Sequence, residues 1–307
     1  MVVFLNPRCN YGTGRQRWER VRNGVEERTG PFEFVETSSP EELAFRVGEA
    51  ARSGERVLVS AGGDGSVNLL LNTVIAAGLG PDTTIGAVGL GSSNDFHKPF
   101  RAEASVRGTP VRVDVAGGKL CDVIRVEHTG PDGRQSTRFC MLNASVGVTA
   151  EANAYFNSRH RFVEFLQRLS VNLAISATAL RTVLAFRAIP CRLEVDGAEP
   201  EHFGVTNLGV VKNPHFAGSF CYDSPVTPDD GRIGVNLCWN LSRVEMAAML
   251  AALRRGEFSG RPKTRTSLAR EAKVESDEPF ALEMDGEVAQ AHSARFSVVP
   301  QRVRCCR

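Results

Sequence analysis

No apolar run in this chain approaches the roughly 18 residues that a membrane-crossing helix needs. The opening segment, MVVFLNPRCN, is too short and too poor in basic residues to be a secretion signal. Glycosylation is therefore not expected at the acceptor-like Asn143 and Asn240. Cys-x-x-Cys spacing is also missing: eight cysteines are scattered, with Cys305 and Cys306 adjacent. Without a secretion signal they read as reduced thiols in a cytoplasmic protein. Charge of one sign is lacking too, since 37 basic residues face 35 acidic ones for a net +2. No helix concentrates basic residues, so nucleic acid is not an expected partner. Internal repeats and low-complexity linkers are absent. A hydrophobic content of 42% argues against disorder, and 307 residues suggest two domains.

Two familiar phosphate loops are missing as well. There is no GxxxxGK[ST], and Gly89-Leu90-Gly91 runs into Ser92-Ser93-Asn94 instead of completing GxGxxG. A P-loop kinase and a dinucleotide dehydrogenase are both disfavoured.

What is present is an alternation of short apolar strands and helical stretches over the first hundred residues. Val2–Asn6, Phe32–Val35, Arg56–Ser60 and Thr84–Val88 read as strands. Arg15–Thr29, Pro40–Ser53 and Ser66–Ala77 read as helices, the second opened by Thr37-Ser38-Ser39-Pro40-Glu41-Glu42. Such alternation predicts a parallel sheet covered on both faces. From about Pro110 the pattern turns to short, turn-bounded strands, including Phe139–Val148, Phe203–Val211, Gly231–Cys238, Lys273–Ser276 and Phe280–Met284. One helical segment, about 159–187, interrupts them. The expected architecture is an α/β domain over 1–110 and an antiparallel β-sandwich with a helical insertion over 111–293. The strand within 294–307 could return to the first domain.

Three glycine-rich turns fall at strand ends in the first domain, where a parallel sheet binds its ligands. Glycine lets backbone N–H groups approach phosphate, and a following helix start favours negative charge. Gly62-Gly63-Asp64-Gly65-Ser66-Val67-Asn68 is the most informative, because its carboxylate could organise Mg²⁺ or accept a proton from an attacking hydroxyl. A tight strand–helix turn capped by Asp64 is the plainer reading.

The segments NPRCNYGTG, GGDGSVNLLLNTVI and GLGSSNDFHKPF, in this order, resemble the catalytic domain of diacylglycerol, sphingosine and ceramide kinases. NPHFAGSFCYDSPVTPDDGRIGV is similar to that family's glycine-rich segment and Asp-Gly pair, and EMDGEVAQAHSARFSVVPQRVRC to its closing strand pair. The resemblance spans nearly the whole chain. It implies a Rossmann-like nucleotide domain, a β-sandwich lipid domain, ATP and Mg²⁺ as cofactors, and transfer of the ATP γ-phosphate to a lipid hydroxyl.

Carried over position by position, the resemblance puts Asn6, Gly12, Thr37, Gly62, Gly63, Asp64, Gly65, Ser66, Val67, Asn68 and Ser92 at the ATP site, with Asn94 and Asp95 bracing the loop after Gly91. Thr37 serves equally well as a helix cap. Asp230, with the backbone of Thr227 and Arg232, matches a structural Mg²⁺ site, although Asp229-Asp230-Gly231 alone is an ordinary turn. Glu287 matches the family's general base, with Asp64 and Asp285 as rivals. Departures are Ser92 for the frequent threonine, His97 for an alanine, and Ala217-Gly218-Ser219 for consecutive glycines.

The helical segment Phe162–Phe186 could line an acyl pocket or simply pack on the sandwich. Glu151 reads as a headgroup contact or a solvated acid. Arg254, Arg255, Arg261, Lys263, Arg265 and Arg270, interrupted by Glu257, read by default as a solvated loop, or as a peripheral membrane surface attracted to anionic lipid. A homodimer stays open. Two rivals remain, a kinase of a soluble substrate such as NAD and an inactive nucleotide- or lipid-binding protein. Retention of Asp64, Asp230, Asp285 and Glu287 argues against the second.

Overall fold

The computed structural model describes residues 1–100, 105–157 and 171–307. The chain forms two compact units. One comprises Met1–Val123, Pro228–Gly231 and Val299–Arg307; the other comprises Ile124–Thr227 and Arg232–Val298. The divisions at 123 and 298 lie beyond the 110 and 293 read from the sequence, and the turn 228–231 belongs with the first unit.

In the first unit, β1 (Val2–Leu5), β2 (Glu33–Glu36), β3 (Val57–Gly62) and β4 (Thr84–Gly89) pair in parallel in the order β2-β1-β3-β4. Every residue of β1 and β4 is buried, as expected where helices cover both faces of a parallel sheet. The short β5 (Ser105–Val106) pairs with β6 (Thr109–Arg112), and β6 runs antiparallel to β4. The terminal Arg304 and Cys305 pair in parallel with Thr84 and Ile85 on that same strand.

Helix Gly14–Thr29 buries Trp18, Val21 and Val25, a stripe spaced three and four apart. Trp18 stacks on Phe34 with centroids 5.4 Å apart. Helix Pro40–Arg52 is capped by Ser39, whose hydroxyl accepts the Glu42 N–H at 3.2 Å.

The sequence reading ended β3 at Ser60 and began the next helix at Ser66. Instead the strand runs to Gly62 and the helix spans Asp64–Ala76. Ala61 and Gly62 continue the ladder opposite Val88 and Gly89, leaving Gly63 alone as the connection.

The strand pairings of the second unit are antiparallel, and the end of its last strand, from Val299, belongs to the first unit. The strands of the second unit are β7 (Lys119–Thr129, shared with the first unit), β8 (Gln135–Cys140), β9 (Asn143–Gly147), β10 (Ile189–Val195), β11 (Glu201–Val211), β12 (His215–Phe216), β13 (Phe220–Cys221), β14 (Ile233–Trp239), β15 (Thr264–Ala269), β16 (Glu271–Met284) and β17 (Glu287–Cys305). The order β15-β14-β11-β10-β16-β17 forms the main path, with β9 paired to both β11 and β16. Val205, Leu208, Val210, Val235, Val274, Phe280 and Phe296 are among its core.

The expected single strand Phe139–Val148 is two, because Met141 and Leu142 leave the ladder and turn their N–H groups to a side chain described below. The two strands expected at 273–276 and 280–284 are instead one, β16, with a register shift between Glu275 and Phe280. Helices Val148–Asn157 and Val171–Ala185 flank residues 158–170. The first part of the long helical segment read from the sequence lies outside the described residues.

Candidate active site

The first unit gathers its chemistry at the carboxyl ends of β1, β3 and β4. Asn6, the residue after β1, donates from Nδ2 to Ser66 Oγ at 3.0 Å and accepts the Arg8 N–H at 3.0 Å. Gly63 and Gly91 press together so closely that a Cβ on Gly91 would sit 2.5 Å from Gly63 Cα. Only glycine fits there, which explains why two glycine-rich turns recur at adjacent strand ends. Asn94 then clamps the second turn. Its Oδ1 accepts the Gly91 N–H at 3.0 Å, and its Nδ2 reaches the carbonyls of Gly89 and Gly91 at 3.1 and 3.2 Å.

Asp64 is the first residue of its helix, not the middle of a loop. Its Oδ1 accepts the Phe96 N–H at 2.9 Å. Burial, reinforced by the neighbouring Asp95 charge, pushes its carboxyl up to about 6. Asp95 is itself paired with Lys98.

Ser66 and Val67 donate their N–H groups back to the Gly63 carbonyl at 2.9 and 3.2 Å. The side chains of Val67 and Asn68 are buried, and the Asn68 Oδ1 accepts from Asn72 at 3.1 Å. The amides best placed to meet an anion are thus those of Gly63, Asp64 and Gly65 at the helix start. Gly12 and Ser92 lie exposed, Gly12 with φ at +82°. Thr37 is not the helix cap; its N–H and hydroxyl reach the Leu5 carbonyl at 3.0 and 3.4 Å, and Ser39 caps instead.

Two residues here went unread or under-read in the sequence. Buried Arg112 donates Nε to the Cys306 carbonyl at 3.0 Å and Nη1 to the Phe96 carbonyl at 2.9 Å, with its guanidinium over the Phe96 ring. Nothing in its local sequence marks it, because its partners lie far along the chain. His97, noted only as a departure, is buried, and burial beside Arg112 pushes its imidazole down to about 3, so it is neutral.

In the second unit the Met284-Asp285-Gly286-Glu287 motif forms a two-residue hairpin. Asp285 and Gly286 both have positive φ, +47° and +94°, and Met284 pairs with Glu287. That is the backbone a tight Asp-Gly hairpin demands. Asp285 is buried and its carboxylate accepts N–H groups from Met141, Leu142 and Asn143 at 2.7, 3.1 and 2.8 Å. Glu283, also buried and not singled out by the sequence, accepts the Gly286 N–H at 2.7 Å and the Ser145 hydroxyl at 2.8 Å. Glu287 stands apart, its side chain half exposed and 3.9 Å from Arg138.

The expected metal residues are differently engaged. Thr227 and Asp230 are exposed. The Arg232 carbonyl accepts the buried Lys212 Nζ at 2.8 Å. An oxygen holding an ammonium is a poor ligand for Mg²⁺, so this donor set does not fit a resident ion. No group of three or more His, Cys, Asp or Glu suited to a metal occurs among the described residues. The basic stretch is also less free than the sequence suggested. Arg255 and Arg261 pair with Glu257, Lys263 with Glu245, and Arg265 with Glu201. Glu151 lies in the first turn of its helix, partly buried. No helix among the described residues is long and apolar enough to cross a membrane.

The two halves of the chain match the two domains of a kinase family. Residues 1–123 match the diacylglycerol kinase catalytic domain, and residues 143–307, more than half the chain, match the YegS C-terminal NAD kinase beta sandwich-like domain. The chain belongs to the diacylglycerol kinase and YegS lipid kinase family. A Stenotrophomonas maltophilia protein named "Probable lipid kinase YegS-like" is 26% identical over 84% of this chain and 81% of its own length. A Staphylococcus haemolyticus diacylglycerol kinase is 22% identical over 85% and 76%. The crystal structure of a diacylglycerol kinase from Bacillus anthracis shares the fold, with a TM-score of 0.67 over 99% of this chain and 95% of that one at 13% identity.

Proposed function

We propose that this chain transfers the γ-phosphate of ATP to the hydroxyl of a lipid such as diacylglycerol, ceramide or a sphingoid base. The observation that carries this reading is the division of labour among the acids of residues 283–287. Two of the three, Glu283 and Asp285, are buried and hold backbone N–H groups, while Glu287 alone is presented outward. In this reading Glu287 accepts the proton of the lipid hydroxyl as its oxygen bonds to the γ-phosphorus and ADP leaves. Phosphoryl transfer asks the protein chiefly for placement and charge neutralisation. The N–H groups of Gly63, Asp64 and Gly65 offer the second at a helix start. Mg²⁺ arriving with ATP would neutralise phosphate charge, and the Asp64 carboxylate is the group in the first unit best suited to face it.

The test is incubation of total lipid extract with the protein and Mg²⁺-ATP, followed by mass spectrometry for new phosphorylated species. A gain of one phosphate on a glycerolipid or sphingolipid supports the reading. Turnover on NAD with none on any lipid would replace it with a soluble-substrate kinase, and ATP binding without turnover would favour an inactive binding protein.

A further inference from the structure

We propose that the segment Thr227–Arg232 is held by the ammonium of Lys212 and the carboxylate of Asp122, and that this chain carries no resident structural divalent cation there. The inference concerns the architecture of the chain, and holds whichever alcohol is phosphorylated.

The first support comes from strand register. β11 and β14 run antiparallel with Val211 opposite Gly234. One residue further, Lys212 comes alongside the residues leading into β14. Its position there is fixed through the backbone, because Lys212 and Asn213 both donate their N–H groups to the Leu142 carbonyl, at 2.8 and 2.9 Å. The side chain is 3% exposed, and its Nζ donates to the Arg232 carbonyl at 2.8 Å.

An ammonium is a donor only, and once buried it must find acceptors. The Arg232 carbonyl is one it has found. That oxygen is also one of the backbone ligands which the family resemblance would give to Mg²⁺. A divalent cation on the same oxygen would stand within a few ångströms of a buried positive charge, with little water between to screen the repulsion. Mg²⁺ also demands near-ideal octahedral oxygen geometry, and a lone pair spent on an N–H weakens the set further.

The second support is independent of Lys212. A structural ion earns its place by fixing a turn, and the turn 228–231 is already fixed by protein groups. Asp122 is 2% exposed, and its Oδ2 accepts the Gly231 N–H at 2.8 Å. Its own N–H donates to the Pro228 carbonyl at 2.7 Å, so one residue grips both ends of the turn. Its Oδ1 meanwhile accepts the Gln301 N–H at 2.9 Å, tying in the returning tail. A fixed positive charge and a fixed negative charge, both supplied by the chain, do the work of an exchangeable ion. Mg²⁺ is then needed only where ATP brings it.

The experiment is a thermal melt of the nucleotide-free full chain, first in chelator and then with millimolar MgCl₂, on wild type and Asp230→Asn. We expect the wild-type Tm to be unchanged by Mg²⁺. A rise that persists in Asp230→Asn also supports the proposal, because the ion then binds elsewhere. A rise abolished by Asp230→Asn overturns it. In parallel, Lys212→Met keeps the apolar stem and removes the charge. It should lower Tm by about 3 °C or more, equally with and without Mg²⁺. An unchanged Tm in that variant also overturns the proposal. Failure of the lipid kinase reading would show separately, as missing turnover with these melts unaltered.

Discussion

Asp285 accepts the backbone N–H of Asn143 at 2.8 Å and returns its own N–H to the Asn143 carbonyl at 3.0 Å. This two-way bond, with further N–H groups from Met141 and Leu142, makes the acid two residues before Glu287 an anchor between the hairpin and the start of β9. Replacing Asp285 with Asn puts an NH₂ group against backbone donors and removes the charge. Bonds to charged groups contribute about 1.5–3 kcal/mol each, and a buried donor left without its acceptor costs about 1–3. We therefore expect Asp285→Asn to lose about 3 kcal/mol in a urea or thermal melt. Unaltered stability would show that the anchor is not needed.

The contrast with Glu287 shows how far the sequence could be read. The motif DGE announced itself, as did GGDG and GSSNDF, because each is local and its turn chemistry is written in adjacent residues. Strand–helix alternation gave the parallel sheet for the same reason. What was not legible depends on distant partners. The letters of DGE do not say which acid is buried; that follows from Met141, Leu142 and Asn143 arriving across the sheet. Arg112 was invisible because its acceptors sit at Phe96 and Cys306. Nothing in its local sequence marks Lys212 either, because its ammonium meets the carbonyl of Arg232, twenty residues on. The end of β3 was misjudged because Gly62 pairs with Gly89, where a glycine pair had suggested a loop.

Asp64 yields a prediction whose sign depends on pH. Its carboxyl is raised to about 6 from an ordinary 3.8, chiefly by burial. The folded chain therefore binds more protons than the unfolded one between those values, and stability falls as pH rises through that window. Below it both states are protonated and the cost vanishes; above it the cost is complete. Asp64→Asn keeps an oxygen for the Phe96 N–H and removes the charge. It should raise stability at about pH 8 by on the order of 1–2 kcal/mol after allowance for partial screening, and by nothing near pH 3. Its kinase activity should nonetheless be lost. A variant less stable than wild type at pH 8 would mean the charge is favourable in the nucleotide-free protein.

Membrane attraction should be weaker in its salt dependence than the count of basic residues suggests. Arg255, Arg261, Lys263 and Arg265 each have a carboxylate partner. Paired cations present little net field, and exposed charges are screened beyond about 10 Å at ordinary ionic strength. Binding to anionic vesicles should change by less than about threefold between low and high salt. Glu257→Lys, which unpairs two arginines and adds a charge, should strengthen binding and restore salt sensitivity. Strong salt dependence in the wild type would place the docking charges elsewhere.

Glu287 carries the most exposed expectation. Its side chain is half exposed and its nearest cation is Arg138 at 3.9 Å, also half exposed. Surface pairs of this kind contribute little to stability, so Glu287→Gln should melt as wild type does, in contrast to Asp285→Asn. If Glu287 takes the proton of the lipid hydroxyl, its loss should lower kcat by roughly 10²–10⁴, the usual contribution of a general base. The KM for ATP should stay the same, since the amides proposed for phosphate lie at Gly63, Asp64 and Gly65. The residual rate should still rise with pH near 6, because Asp64 is untouched. Three measurements on one variant (Tm, kcat and KM for ATP) therefore separate a base from a brace. Normal kcat would move the base to Asp64. Lost stability would mean that the outward acid holds the hairpin after all.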